Sequence, residues 1–150
     1  MEKTKFAMVS LPVNEYRFSI LGPLFLATYI KRKMQDVEVK IIDNTFENVE
    51  LELKKFNPDI IGITTFTSFY QDAIDFATMA KKNNPEIKVI VGGPHISSLP
   101  ESLDYVFDFG VIGEGEKALE ELIEAITKNK SIKNIKGLVY YKDNNLVYNK

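Results

Sequence analysis

The stretch Val89-Ile90-Val91-Gly92-Gly93-Pro94-His95 decides the fold, read together with Val111-Ile112-Gly113-Glu114-Gly115-Glu116 further along. Each is an apolar run that stops at glycine, where a helix can begin. In a parallel α/β sheet such stops fall at the carboxyl ends of strands, the edge where these folds bind ligands. Glycine there lets a bulky ligand approach the backbone closely. The same edge offers no convincing catalytic group. The chain therefore reads as the holder of something large more than as a self-sufficient catalyst.

Working outward, strand and helix alternate. Lys5–Leu11 is a short apolar run, the first strand, and it ends at Pro12. Pro23 suits a first helical position, and Leu24, Ala27, Tyr29, Ile30 and Met34 recur near helical spacing behind it. Val37–Ile42 is the second strand, broken by Asp43-Asn44. Val49, Leu51, Leu53 and Phe56 support a second helix that ends at Asn57-Pro58. Asp59–Thr64 is nearly continuously apolar, as expected of a central parallel strand covered on both faces. Phe69, Ala73, Phe76, Ala77 and Ala80 line a third helix, and Ile87–Val91 is the fourth strand. Leu99–Leu103 reads as a short helix or turn. Tyr105–Ile112 contains the fifth strand, in its second half. Leu119, Leu122, Ile123 and Ile126 form the stripe of a last helix.

Leu138–Tyr141 and Leu146–Tyr148 flank Lys142-Asp143-Asn144-Asn145, the pattern of a β-hairpin. The expected class is α/β, a Rossmann-like, doubly wound, five-stranded parallel sheet with a C-terminal hairpin. Residues 1–130 form the α/β domain and 131–150 the appended hairpin. A hairpin followed at once by the chain end leads us to expect the N-terminal piece of something longer.

Composition bounds the function. The 150 residues are 45% hydrophobic and 27% charged with a net charge of −2, which suits one globular domain with a real core. No basic face favours nucleic acid, and no basic amphipathic helix favours a membrane surface. No apolar run approaches membrane-spanning length, and no signal peptide is visible. There is no cysteine, so thiolate zinc, iron–sulfur ligation and a cysteine nucleophile are excluded for this chain. That composition fits a cytoplasmic setting.

Nucleotide motifs are poor. The P-loop pattern is absent. The loop after the first strand holds Gly22 alone, where a dinucleotide fingerprint needs a run of glycines. A phospho-acceptor domain needs acidic residues where this chain has Met8-Val9-Ser10 and Thr64-Thr65-Phe66.

The candidate site residues lie on the expected binding edge, each with a plain and a functional reading. Thr64, Thr65, Thr67 and Ser68 cap a helix or face the polar rim of a ligand. His95, the single histidine, is structural or touches the ligand, and it has no partners at metal-site spacing. Glu114 and Glu116 sit favourably near a helix N-terminus or accept hydrogen bonds from a ligand. Phe66, on the loop itself, packs into the core or offers a ring for stacking.

Asp59–Thr64, Val91-Gly92-Gly93-Pro94-His95 and Val111–Glu116, taken in order, resemble the cobalamin-binding N-terminal domain of radical S-adenosylmethionine enzymes. So do Leu21-Gly22-Pro23-Leu24-Phe25-Leu26-Ala27 and Ile135–Tyr141. The resemblance covers nearly the whole chain. It implies a corrin lying over the carboxyl edge of the sheet, with its nucleotide tail in a slot beneath. Thr64, Phe66 and Ser68, with Thr65 and Thr67 beside them, match the segment lining that slot. Gly92 and Gly93, followed by Pro94 and His95, match the glycine pair that makes room for the tail. Gly113, Glu114, Gly115 and Glu116 match the last loop around the nucleotide. Ser10, Leu11 and Pro12 match the end of the first strand, beside the cofactor.

The chain departs from the classical cobalamin domains at one point. Those carry Asp-x-His-x-x-Gly after the first strand, with the histidine ligating cobalt. Leu11-Pro12-Val13-Asn14-Glu15-Tyr16-Arg17 holds no histidine, so the resemblance implies cobalamin without a histidine ligand. It further implies a following radical S-adenosylmethionine barrel as partner. That barrel would carry S-adenosylmethionine, a 4Fe–4S cluster and the small-molecule substrate, in a transferase-type enzyme for reactions such as methyl transfer. No catalytic activity is expected of this stretch alone. A second reading keeps the fold as a structural or docking domain, with Phe66 or Phe69 collapsed into the slot. A lone small-molecule enzyme is the third, and the poverty of paired acid–base groups at the edge opposes it.

Overall fold

The computed structural model describes residues 3–11 and 21–150. In chain order the elements are β1 (Thr4–Ser10), α1 (Leu21–Lys33), β2 (Val37–Asp43), α2 (Val49–Phe56), β3 (Ile60–Thr64), α3 (Tyr70–Asn83), β4 (Lys88–Gly92), α4 (Pro94–Ser98), β5 (Phe109–Val111), α5 (Glu116–Thr127), β6 (Leu138–Lys142) and β7 (Asn145–Tyr148). Short 3-10 turns cover Thr67–Phe69 and Pro100–Ser102.

The strands form one seven-stranded sheet in the order β2-β1-β3-β4-β5-β6-β7. The first five in that order run parallel, and the expected doubly wound α/β class is what the chain adopts. The winding reverses between β1 and β3, so loops leaving these strands part in opposite directions and open a crevice at the carboxyl edge. The C-terminal hairpin continues the same sheet. β6 runs antiparallel to β5, with Gly110 opposite Val139 and Val111 opposite Leu138. Asp143 and Asn144 both take positive φ, 50° and 62°, as a two-residue hairpin turn requires.

Two cores lie on the two faces. Ala7, Val9, Ile61, Ile63, Val89 and Val91 pack against α2 and α3 and the segment after β4. Phe6, Met8, Ile60, Ile90 and Val111 pack against α1 and α5. Successive strand residues point to opposite faces, so β1 and β3 feed both cores and are apolar throughout. Local signals set the helix ends. The Asn48 side chain accepts from Leu51 N at the start of α2, and Asn57 closes it with φ 49° before Pro58. α1 begins at Leu21, earlier than the position expected for Pro23. Pro23 then falls in the first turn, where its missing N–H costs no helical bond. Pro12, which the sequence reading placed beside the cofactor, lies outside the described residues.

Candidate functional site

A cavity of about 740 Å³ opens at the carboxyl edge, between the sheet and helices α1 and α5. Its volume is that of a cofactor-sized site. The strand residues that line it follow the two-residue alternation. Met8 comes from β1, Gly62 and Thr64 from β3, Ile90 and Gly92 from β4 and Val111 from β5. Ile63, between Gly62 and Thr64, also borders the cavity, although its side chain packs in the α2 and α3 core with those of Val9, Ile61, Val89 and Val91.

The two strand glycines act differently. A Cβ on Gly62 would lie 2.8 Å from Met8 Sδ and 3.0 Å from Phe6 Cζ, so neighbouring side chains already use that space. A Cβ on Gly92 would meet only Val111, its carbonyl oxygen at 3.5 Å and its Cβ at 3.8 Å. Gly92 therefore leaves open room on the wall. At the rim Gly113 takes φ +78° with nothing within 4 Å of its Cβ direction, and Gly115 faces Leu26 at 3.4 Å.

The cavity runs from a buried apolar floor to an exposed mouth that mixes apolar and acidic side chains. Met8, Ile90, Val111 and Leu119 are buried, whereas Leu21, Phe25, Phe66 and Glu114 are exposed at the mouth. Thr64 and Glu116 are partly exposed between these groups. The carboxylates of Glu114 and Glu116 can only accept hydrogen bonds when ionised. Helix α5 starts at this rim. Its N-cap, Gly115, supplies no side-chain hydrogen bond, so the N–H groups of its first turn remain for an acceptor on a ligand. The two helical walls are tied together where the Tyr29 hydroxyl donates to Glu120 at 2.7 Å. That bond to a carboxylate raises the Tyr29 pKa above its ordinary value.

Of the residues singled out from sequence, Thr64, Phe66, Gly92, Gly93, Pro94, Gly113, Glu114, Gly115 and Glu116 all line this cavity. Ser10 is buried on the same face, two residues beyond Met8. Leu11 turns to the α2 and α3 core. Thr65 is buried, 2% exposed, its hydroxyl donating to Phe66 O. Ser68 is exposed on the 3-10 turn, and Thr67 points its hydroxyl at His95. His95 is buried behind the wall, its two ring nitrogens bonded to Thr67 and Ser102. Sequence reasoning did not assign Met8, Gly62, Ile63, Ile90, Val111, Leu119 or the α1 residues Leu21, Gly22, Pro23, Phe25 and Leu26. Counting back by two from Thr64 and Gly92 would have found Gly62 and Ile90. Among the described residues no cluster of histidine, aspartate and glutamate suits a metal ion, and no helix is long and apolar enough to cross a membrane.

Comparison with known proteins gives this geometry a family context. The sequence model of the B12 binding domain matches residues 16–123. An uncharacterized methyltransferase of Pyrococcus horikoshii, PH0819, is 37% identical over 161 aligned residues, which span 99% of this chain. The cobalamin-dependent radical SAM methyltransferase TokK of Streptomyces tokunonensis is 29% identical over 122 aligned residues, 74% of this chain. The chain spans 35% of the first relative's length and 17% of the second's. Among solved structures, the radical S-adenosylmethionine methyltransferase TsrM of Kitasatospora setae, with cobalamin and a 4Fe–4S cluster bound, superposes with a TM-score of 0.82. The match covers 98% of this chain and 29% of that one at 22% identity. At that identity the likeness is one of fold.

Proposed function

The chain belongs to the B12 binding domain family, and on that premise we propose that the cavity between the sheet and helices α1 and α5 receives the nucleotide tail of a cobalamin, with the corrin over the carboxyl edge. The observation that carries this reading is the open wall at Gly92. A central strand gives up a side chain there, and the fold does not refill the space.

The residues fit such a group. Met8, Ile90, Val111 and Leu119 give the aromatic base of the tail a dry, apolar end. Thr64 offers a hydroxyl partway up the wall. The uncapped first turn of α5 suits the tail phosphate. The carboxylates of Glu114 and Glu116 suit amide donors on the corrin's side chains. Phe66 and Phe25, exposed at the mouth, supply apolar cover that excludes water from the upper part of the site. When bound, cobalamin supplies a cobalt centre able to carry and hand on a methyl group.

The docking-domain reading is not favoured. It requires Phe66 or Phe69 to fill the slot. Phe66 instead stands at the mouth, 40% exposed, and the cavity behind it is open.

By likeness to TokK and TsrM, the partner is a radical S-adenosylmethionine barrel that supplies cysteines, since this chain has none. In this reading the barrel holds S-adenosylmethionine, the 4Fe–4S cluster and a small-molecule substrate, in the cytoplasm. Methyl transfer is the whole protein's reaction, and this domain's task is to hold and orient the corrin.

An absorbance titration with hydroxocobalamin and its cobalt(II) form, followed by gel filtration, tests the proposal. Colour should travel with the protein and show a base-off spectrum. Colourless protein with an intact fold would overturn it.

A further inference from the structure

We infer that His95 is a positioning residue, a latch that holds the Thr64–Phe66 wall of the cavity from behind and ligates no metal. The ring is 5% exposed and lies toward the α2 and α3 core, not toward the cavity. It stacks on Tyr70 with ring centroids 4.0 Å apart. Nδ1 lies 3.0 Å from Thr67 Oγ1 and Nε2 lies 2.9 Å from Ser102 Oγ.

The second contact fixes the tautomer. The Ser102 hydroxyl donates its single proton to Leu99 O at 2.6 Å, and a carbonyl oxygen only accepts. Ser102 Oγ must therefore accept from the ring, which places the imidazole proton on Nε2. Nδ1 then presents its lone pair to the Thr67 hydroxyl. The stacking partner is itself held. The Tyr70 hydroxyl donates to Ser102 O at 2.8 Å and accepts from Asp104 N at 2.9 Å.

The latch bears on the cavity through a short path. Thr67 follows directly on Phe66, and Thr64 and Phe66 both line the cavity. The 3-10 turn at Thr67–Phe69 has no side-chain cap of its own. Backbone bonds join the same two loops, Thr65 N to Gly92 O at 3.0 Å and His95 N to Thr65 O at 3.3 Å. The His95–Thr67 bond is the side-chain tie that anchors the turn beyond them. A wall built from a strand end and an uncapped turn needs such an anchor to stand preformed, which spares binding the cost of ordering it.

The single histidine makes the test clean. The 15N spectrum of the chain should show one imidazole, protonated at Nε2. His95→Asn places an amide oxygen near the Nδ1 position and keeps an acceptor for Thr67. His95→Gln reaches toward Ser102 and gives up Thr67. One hydrogen bond is worth about 1 kcal/mol, roughly fivefold in an equilibrium. Amide exchange over residues 66–69 should therefore quicken roughly fivefold in the Gln variant and little in the Asn variant. Thr67→Val, on the exposed turn, removes the same bond without touching the core and should match the Gln variant. Hydroxocobalamin affinity should fall in the same order, an arm that rests on the cobalamin reading. A proton on Nδ1, equal exchange in all variants, or a cobalt(II) EPR signal split by the His95 nitrogen would each overturn the latch. If the parent chain takes up no hydroxocobalamin, the cobalamin reading falls, and the exchange comparison still decides the latch.

Discussion

Gly93 is packed against Thr64 so closely that a Cβ on Gly93 would lie 2.8 Å from Thr64 Cγ2 and 2.8 Å from the Thr65 carbonyl oxygen. With φ at +96°, Gly93 turns the chain from β4 into α4 while holding the β3 loop against it. Its neighbour Gly92 has ordinary room around it, and the two glycines therefore answer different questions.

Replacing Gly93 tests the fold. Gly93→Ala sets a side chain against backbone in a conformation that disfavours L-residues. It should destabilise the chain by about 2–3 kcal/mol. Urea unfolding of the variant beside the parent chain measures this, and an unchanged midpoint would contradict the packing described.

Replacing Gly92 tests the site. In Gly92→Val the new Cβ meets only Val111, at van der Waals distances, and a β-branched residue suits a strand. Stability should change by less than about 1 kcal/mol, while the added methyl groups enter the cavity. Hydroxocobalamin should no longer co-migrate with the folded variant on gel filtration. Retained binding would show that the tail does not lie along this wall.

The end of α5 should carry an acid-dependent contribution. Lys128 and Lys130 each donate to Glu124 Oε1 at 2.9 Å and hold its carboxyl down to about 2, below its usual 4.5. A carboxylate with a depressed folded-state pKa contributes stability above its unfolded pKa and loses it as pH falls toward the folded value. The advantage of the parent chain over Glu124→Gln should be present above pH about 4.5, shrink between about 4.5 and 2, and weaken with added salt because the group is exposed. Denaturant midpoints at neutral and acid pH, each at low and high salt, check this.

Much of this architecture is legible in the chain. A strand covered on both faces must be apolar throughout, so Ile60-Ile61-Gly62-Ile63 announces itself. The same continuity conceals which way each residue points. Alternation pairs Gly62 with Thr64, but nothing in that run says which of the two faces carries the cavity. α4 is too short to show a helical period, so the turn that carries His95 behind the wall is invisible in sequence. The α1 residues Leu21 and Phe25 look like an ordinary apolar face. Only the placement of their helix over the carboxyl edge makes them part of the mouth. Motifs thus mark where the site lies, and the alternation of the strands selects which of their residues belong to it.

The wall at Gly92, Gly113 and Gly115 is specified by atoms that are missing, and this makes its mutational tolerance one-sided. Such a wall holds no reactive group to delete and no charge to neutralise there. Trimming a buried neighbour such as Ile90 opens a void and costs fold stability, whereas every substitution at these glycines adds bulk. In a saturation scan, these positions should stand out as ones where binding falls with added volume and not with lost chemistry.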